Sequence, residues 1–265
     1  MRVSRFLRGW TVGAGLCALS AGWVPSLAHA AEEEIQVYMD EMDRPGQLGL
    51  DLHNNYVFSG QSGVDYPGQQ ASLDRYRFTP EWSYGVTPNI ELGLYLPLTT
   101  LDSQGHFDAD GFKGRIKYIA PKADGQTWFW GANFEIGRVG HVLDINPWNA
   151  ELKGILGTRQ GPWTLATNLN VDWTVSGPHP QSASLELDTK VAYALSKTFA
   201  LGFESYNGMG TFKSFAAFGH SEQALYGVVD TSLGKWDFNL GMGHGYGGAS
   251  DGWTVKAIIS VPIDD

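Results

Sequence analysis

Apolar and polar residues alternate with a period of two along most of the chain beyond Arg44. Gly, Pro, Asn or Asp interrupt the alternation about every twenty residues, and no helical apolar period of useful length is found. This pattern predicts β-strands with one apolar and one polar face. Twelve strands are predicted, beginning near Gln47, Leu73, Asn89, Gly111, Thr127, Trp148, Trp163, Ser184, Phe199, Gln223, Trp236 and Trp253.

The two faces of the predicted strands differ in charge. The apolar face holds no charged residue in any of the twelve strands, whereas the opposite face holds both signs. Its basic residues are Arg75, Arg77, Lys113, Arg115, Lys117, Lys153, Lys190 and Lys256. Its acidic residues are Asp51, Glu81, Glu91, Glu135, Glu151, Asp172, Glu186, Asp188, Glu204, Asp230 and Asp237. A soluble β-protein with an apolar core and a membrane barrel with a polar lumen share this alternation.

Tryptophan positions favour the membrane barrel over the soluble fold. All eight tryptophans beyond residue 30 fall on the apolar face near a strand end, where indole rings lie at a membrane–water interface. They predict an aromatic girdle at each rim, with Trp82, Trp128, Trp130, Trp163 and Trp236 at one and Trp148, Trp173 and Trp253 at the other. The fold class predicted is therefore all-β: an antiparallel up-and-down transmembrane β-barrel of about 12 strands with a polar lumen.

Connection lengths predict the orientation of this barrel. Short turns alternate with long loops, and an even number of strands leaves both barrel termini on the short-turn side. In a Gram-negative outer membrane that side is the periplasm. The expected location is thus the bacterial outer membrane, with both barrel termini periplasmic and with outer-membrane lipid and the barrel assembly machinery as partners.

Composition adds an export signal and an acidic balance. Arg2, Arg5 and Arg8 precede an uncharged stretch that ends in Ala-His-Ala at residue 30, as in a secretory signal peptide. Its removal takes away three of the 18 basic residues, none of the 28 acidic ones and the single Cys, leaving a net charge of −13. Thiol chemistry is then excluded, and nucleic acid is not an expected partner. The predicted organisation is a signal peptide at residues 1–30, an acidic N-terminal periplasmic segment at 31–45 and a barrel domain at 46–265.

The stretch of residues 78–98 reads FTPEWSYGVTPNIELGLYLPL. It resembles the hairpin of the proteobacterial outer-membrane barrel family named after a pathway of phenol degradation, in which an aromatic-rich strand passes through a YG-[IV]-T turn into an E-L-G-L strand. The resemblance implies a porin-like channel or transport protein and carries over no catalytic residue.

The charged face of the strands suggests the function. Across twelve strands, Arg75 and Arg77 are expected to face Glu186 and Asp188, and the basic residues of the fourth strand to face Asp230. Such a lumen gives a transverse field that filters small polar or ionic solutes. The alternative is a closed lumen in which these charges pair, leaving a role to the loops.

Two loop-based roles stay open in that alternative. The histidines near the long loops, which are weak candidates for metal capture, are His106, His141, His179, His220 and His244. Ser103 with His106, or His220 with Ser221, could serve an outer-membrane lipid hydrolase, although Ser and His a few residues apart arise readily by chance. No catalytic residue, metal ligand or cofactor is assigned, and an enzyme is not the favoured class.

The segment of residues 31–44 concentrates six of the 28 acidic groups. A solvated periplasmic tail is the favoured interpretation. Ile35, Val37 and Met39 alternate, however, so the segment could instead enter the lumen as a plug or gate.

Overall fold

The computed structural model describes residues 34–217 and 220–263, so the predicted signal peptide lies outside the described residues. In this part of the chain fifteen strands join one antiparallel sheet. They are β1 (Leu48–Val57), β2 (Tyr76–Thr87), β3 (Ile90–Tyr95), β4 (Thr99–Leu101), β5 (Phe107–Asp108), β6 (Gly111–Ile119), β7 (Trp128–Val139), β8 (Trp148–Gln160), β9 (Trp163–Ser176), β10 (Ser184–Ala194), β11 (Phe199–Thr211), β12 (Ser214–Phe215), β13 (Gln223–Leu233), β14 (Trp236–Gly245) and β15 (Trp253–Ser260).

The sheet closes on itself because β1 pairs with β2 on one side and with β15 on the other. Twelve strands form the wall, while β4, β5 and β12 are short additions beside β2 and β11. The predicted fold class, a twelve-stranded antiparallel barrel, is confirmed. No helix within the described ranges is long and apolar enough to cross a membrane.

Eleven wall strands begin within one residue of the predicted positions, and β2 is the exception. It begins at Tyr76 and not near Leu73, because Asp74 has a left-handed φ of 54°. The N–H of Arg75 also bonds back to the carbonyl of Ser72 at 3.2 Å, which closes a turn. The third predicted strand ends at Tyr95, shortly before Pro97, which has no N–H to donate to a ladder, and β4 lies in the long loop predicted beyond it.

The outer and inner surfaces of the wall follow the two phases of the sequence. In β9, Leu165 and Leu169 are 43% and 48% exposed, whereas Asn168 and Asn170 between and beside them are buried. Seven of the eight girdle tryptophans are exposed, and Trp173 is half-buried. An apolar outer face with aromatic rims and a polar interior is the arrangement of a membrane-spanning barrel.

We expect Leu169→Arg to lower the free energy of unfolding by about 2–4 kcal/mol, because this residue lies in the middle of β9 and a guanidinium there faces hydrocarbon. The matched control is Leu233→Arg at the short-turn end of β13, where the cost is about 0–1 kcal/mol. Denaturant unfolding in lipid vesicles measures both. Equal losses for the two variants would contradict the assignment of the apolar face to lipid.

Candidate functional site

The described part of the acidic segment, residues 34–44, lies inside the barrel and is here called the N-terminal segment. It enters at the short-turn rim, where the N–H of Gly46 donates to the carbonyl of Gly85 at 2.7 Å. A Cβ at Gly85 would collide with the backbone carbonyls of Asp43 and Arg44, so glycine allows the chain to pass this close to β2. The segment is therefore continuous with β1 and folds back into the lumen.

Wall side chains hold the backbone of the N-terminal segment at several points. Asn168 accepts a hydrogen bond from the N–H of Tyr38 at 2.7 Å and donates to its carbonyl at 2.9 Å, as a neighbouring strand would. Lys256 Nζ donates to the carbonyl of Ile35 at 2.8 Å, and Lys117 Nζ donates to that of Glu41 at 2.7 Å. Polar groups of the wall thus satisfy the backbone of an inserted strand-like chain.

Tyr38 contacts the wall through both its hydroxyl and its ring. Its hydroxyl lies 2.5 Å from that of Tyr95 and donates to Glu135 at 3.3 Å. Lys153 Nζ lies 4.5 Å from its ring centroid and Arg115 Cζ lies 5.8 Å away, both within the range of cation–π attraction. The ring therefore packs against the cations of Lys153 and Arg115, and the hydroxyl joins the hydrogen bonds of Tyr95 and Glu135.

The lumen also offers the segment an apolar surface. Ile35 and Val37 are 7% and 3% exposed and pack against it. The wall residues of this apolar patch are Ile119, Phe129, Ile155, Ala166, Tyr206, Tyr226 and Val228. Of the two placements considered from the sequence, residues 34–44 have the lumenal one and are not a solvated tail, because burying this apolar surface outweighs solvation of the segment.

Ion pairs hold the segment at the short-turn mouth. Asp40 pairs with Lys122 Nζ at 2.5 Å and with Arg159 Nη2 at 2.8 Å, and Glu41 also pairs with Arg159. Burial by itself raises the pKa of the Asp40 carboxyl, but the hydrogen bonds and charges of Lys122 and Arg159 outweigh it and hold that pKa below its ordinary value. Asp40 therefore stays ionised and anchored at neutral pH.

The structure places the predicted lumen residues as follows. Twelve of them are buried: Arg75, Arg77, Arg115, Lys117, Lys153, Lys190, Lys256, Glu81, Glu91, Glu135, Asp188 and Glu204. Six are half-buried: Asp51, Lys113, Glu151, Asp172, Glu186 and Asp230. Asp237 is exposed at the short-turn rim, where it accepts a hydrogen bond from Ser232 at 2.5 Å.

One cluster of wall charges centres on Arg115 of β6. Its Nη2 bonds Glu91 of β3 at 2.8 Å, and its Nε bonds Glu81 of β2. Gly93 lies opposite Arg115 in the β3–β6 ladder, and a Cβ there would occupy the space of the Arg115 side chain. The glycine of the E-L-G stretch thus lets Arg115 cross β3 and reach two carboxylates.

A second cluster centres on Glu204 of β11, which is 1% exposed. Lys190 Nζ lies 3.1 Å from Glu204 and 2.9 Å from Asp230, and Lys256 Nζ also pairs with Glu204. Tyr206 donates its hydroxyl to Glu204 at 2.8 Å. In both clusters each cation has its carboxylate on the same side of the barrel, so these charges pair along the wall and not across the lumen.

Four further polar residues of the lumen were not assigned from the sequence. Asn133, Asn168 and Asn170 are 0–1% exposed, and His53, 1% exposed, lies 3.0 Å from Glu81 through its Nε2. All four share the strand phase of the charged residues. Assigning every polar side chain on the charged face of a strand to the lumen would have identified all four.

The loop histidines do not come together. Among the described residues no three His, Cys, Asp or Glu side chains group as metal ligands. His106 Nδ1 lies 2.9 Å from Asp102, which also accepts the backbone N–H of His106 and so closes a loop turn. Within the described ranges Ser103 makes no hydrogen bond to His106, and Ser221 Oγ accepts a hydrogen bond from Gln223 Nε2 at 2.9 Å. Ser103 and His106 therefore lack nucleophile–base geometry in this structure.

A pocket lies on the long-loop side of the N-terminal segment. Its lining includes Ile35, Tyr206 and Tyr226, together with the acidic residues Glu186 and Glu222. Ile35 belongs to the segment, so the segment forms part of the boundary between this vestibule and the short-turn half of the lumen.

No protein-family model matches the sequence, and no curated protein matches it. Solved structures do resemble its fold. The KdgM porin has 10% identity and a TM-score of 0.54, with 82% of this chain and 99% of that chain covered. The COG4313 outer membrane channel from Pseudomonas putida F1 has 13% identity and a TM-score of 0.55, with 86% of this chain and 99% of that one covered. At such identities the likeness establishes the outer-membrane β-barrel fold.

Proposed function

We propose that this protein is a channel of the bacterial outer membrane for small polar or ionic solutes, and that the N-terminal segment closes it in the state described. Both barrel termini then face the periplasm. The same proposal includes membership of the barrel family named after phenol degradation, on the strength of the hairpin at residues 78–98.

The observation that carries the proposal is what fills the lumen. A separate chain segment occupies it, packed against apolar wall residues and hydrogen-bonded to Asn168. The pairs of Arg115 with Glu81 and Glu91 are made within the wall. Withdrawal of the segment would leave those pairs intact, and water could replace its hydrogen bonds.

The vestibule supports the solute class. Arg75 and Arg77 lie at the long-loop end of β2, and Glu186 lines the vestibule from β10. Opposite signs at the long-loop end of one lumen would orient dipolar and ionic solutes. This vestibule is where we place the transverse field.

The test is planar-bilayer current from the refolded mature chain and from a chain lacking residues 31–44. Stepwise current from either protein, with permeation of small ions and sugars into liposomes, supports a channel. Absence of current above background from both proteins, each shown to be folded by heat-modifiable gel mobility, would overturn the proposal.

A further inference from the structure

Glu34 is a buried carboxyl group at the inner end of the N-terminal segment. It is 8% exposed, and its Oε1 has no hydrogen-bond partner among the described residues. The wall charges that act on it most strongly come from four strands and belong to His53 of β1, Glu81 of β2, Glu135 of β7 and Lys153 of β8. Docking of the segment therefore takes this carboxyl out of water and places it among charges of both signs.

The two wall cations near Glu34 already serve wall carboxylates. Lys153 Nζ lies 3.3 Å from Glu151, and His53 Nε2 lies 3.0 Å from Glu81. An ionised Glu34 would share these cations with the wall and add a further negative charge to a buried site. Burying a charge is costly unless it is paired and hydrogen-bonded, so this environment favours the neutral acid.

The hydroxyl groups beside Glu34 are directed elsewhere. Tyr38 of the segment and Tyr95 of β3 both experience the charge of Glu34. Their hydroxyls lie 3.3 and 3.5 Å from Oε1 of Glu135 as donors, and Asn133 donates to the same oxygen at 2.7 Å. The donors of this cluster thus stabilise the wall carboxylate, while Oε1 of Glu34 is left without one.

Docking and protonation of Glu34 are linked. Burial, aided by the charge of Glu135 and opposed by that of Lys153, raises the pKa of the Glu34 carboxyl from 4.5 to about 7. In a released segment this carboxyl is in water and returns to its ordinary pKa. Docking has its full strength below about pH 4.5, where both states are protonated, and weakens up to about pH 7, because the released state loses its proton first.

The other shifted carboxyls of the segment do not cancel this effect. Burial raises the pKa of Asp43, so this half-buried group acts in the same sense as Glu34. Against the effect of burial, Lys122 and Arg159 hold the pKa of Asp40 below its ordinary value of 3.8. The contribution of Asp40 to docking is therefore present above that pH and lost only in stronger acid.

We propose that the N-terminal segment is a pH-operated gate with Glu34 as its sensor. The segment docks in the lumen when Glu34 is protonated, and the docked fraction falls as Glu34 ionises. Acid thus favours the closed barrel, and neutral or alkaline conditions favour the open one. The movement of the segment stands on the surroundings of Glu34, whereas its effect on solute flow rests on the proposed function.

The experiment follows a nitroxide spin label on the segment. The single Cys of the chain, Cys17, lies in the predicted signal peptide, so Gln36→Cys gives the mature chain one labelling site at a half-buried position. A docked segment immobilises the label, and a released segment gives a mobile spectrum. From about pH 5 to about pH 8 we expect the ratio of immobile to mobile label to fall by on the order of 100-fold. The titration is repeated in Arg159→Gln, because loss of its ion pairs weakens docking and shifts the equilibrium toward release.

Two variants identify the sensor. Glu34→Gln carries a neutral amide of nearly the same shape as the protonated acid, so its label should stay immobile over the whole pH range. The wall should still close, since its strand pairings do not include Glu34. The matched control is Glu41→Gln, which removes an exposed carboxylate of the same segment from its pair with Arg159. It should weaken docking at every pH and keep the pH dependence. A pH dependence retained in Glu34→Gln, or an immobile label at every pH in both the parent and Arg159→Gln, would overturn the gate.

Bilayer current recorded on the same proteins separates the gate from the channel. Current that rises with pH together with the mobile fraction supports both. Release of the segment without current at any pH would reject the channel and leave the pH response of the segment standing. Current accompanied by a label that does not respond to pH would reject the gate and leave the channel standing.

Discussion

Deleting residues 31–44 is expected to raise the mean single-channel conductance severalfold over that of the mature chain. The N-terminal segment occupies the short-turn half of the lumen, where Ile35, Val37 and Tyr38 are all buried against the wall. Its removal replaces this packed contact with water. The barrel should still fold, because the strand pairings that close it are made between wall strands. Conductance in planar bilayers at matched salt concentrations measures the change.

Two point variants should open the channel in part without shortening the chain. Arg159→Gln removes the ion pairs with Asp40 and Glu41 at the mouth, and Asn168→Leu removes both hydrogen bonds to the Tyr38 backbone. Each should increase the fraction of time spent open. Arg138→Gln is the control, because it also removes a cation from an ion pair but touches no residue of the segment. A deletion protein that conducts no better than the mature chain would show that the segment does not limit flow.

Glu204→Gln is expected to lower the free energy of unfolding by about 3–5 kcal/mol, because Lys256 then loses the one carboxylate with which it pairs in the described chain. Lys190 keeps Asp230 at 2.9 Å, so most of the loss should come from Lys256. Urea unfolding in lipid vesicles, followed by tryptophan fluorescence, measures the change.

The double variant Glu204→Gln with Lys256→Met separates lost pairing from general damage. Removing the stranded cation should recover much of the stability lost in Glu204→Gln, since replacing a buried ion pair is often nearly neutral. Asp237→Asn, a carboxylate removed from the exposed rim, should shift stability by no more than about 0.5 kcal/mol. If the double variant is no more stable than Glu204→Gln, the Lys256 pairing does not account for the loss.

The wall of the barrel could be predicted from the sequence because one physical cause acts on every strand. Hydrocarbon outside and polar groups inside force a period of two, and a charge such as that of Glu204 or Lys256 marks the inner phase directly. The start of β2 was missed because Asp74 adopts a left-handed turn that leaves no mark in apolar periodicity.

The interior of the barrel was harder to predict because contacts between distant residues determine it. Pairing of Arg115 with Glu81 depends on Gly93, and the alternation of apolar and polar residues gives no information about a glycine. One signal for the lumenal segment was present: Ile119, Phe129 and Ile155 are apolar residues on the otherwise polar phase. In a lumen filled by water alone these apolar side chains would be unfavourably exposed to water. Here they form the surface on which the segment packs.

Lys256 connects the N-terminal segment to the last step of barrel closure. This residue lies on β15, the strand that seals the sheet against β1, and its Nζ donates to the carbonyl of Ile35. The first residues of the described chain therefore bind the strand that is synthesised last. Because the closing strand pairings are made within the wall, we expect the deletion protein to close; its rate of closure during insertion would then report what the Lys256–Ile35 contact adds.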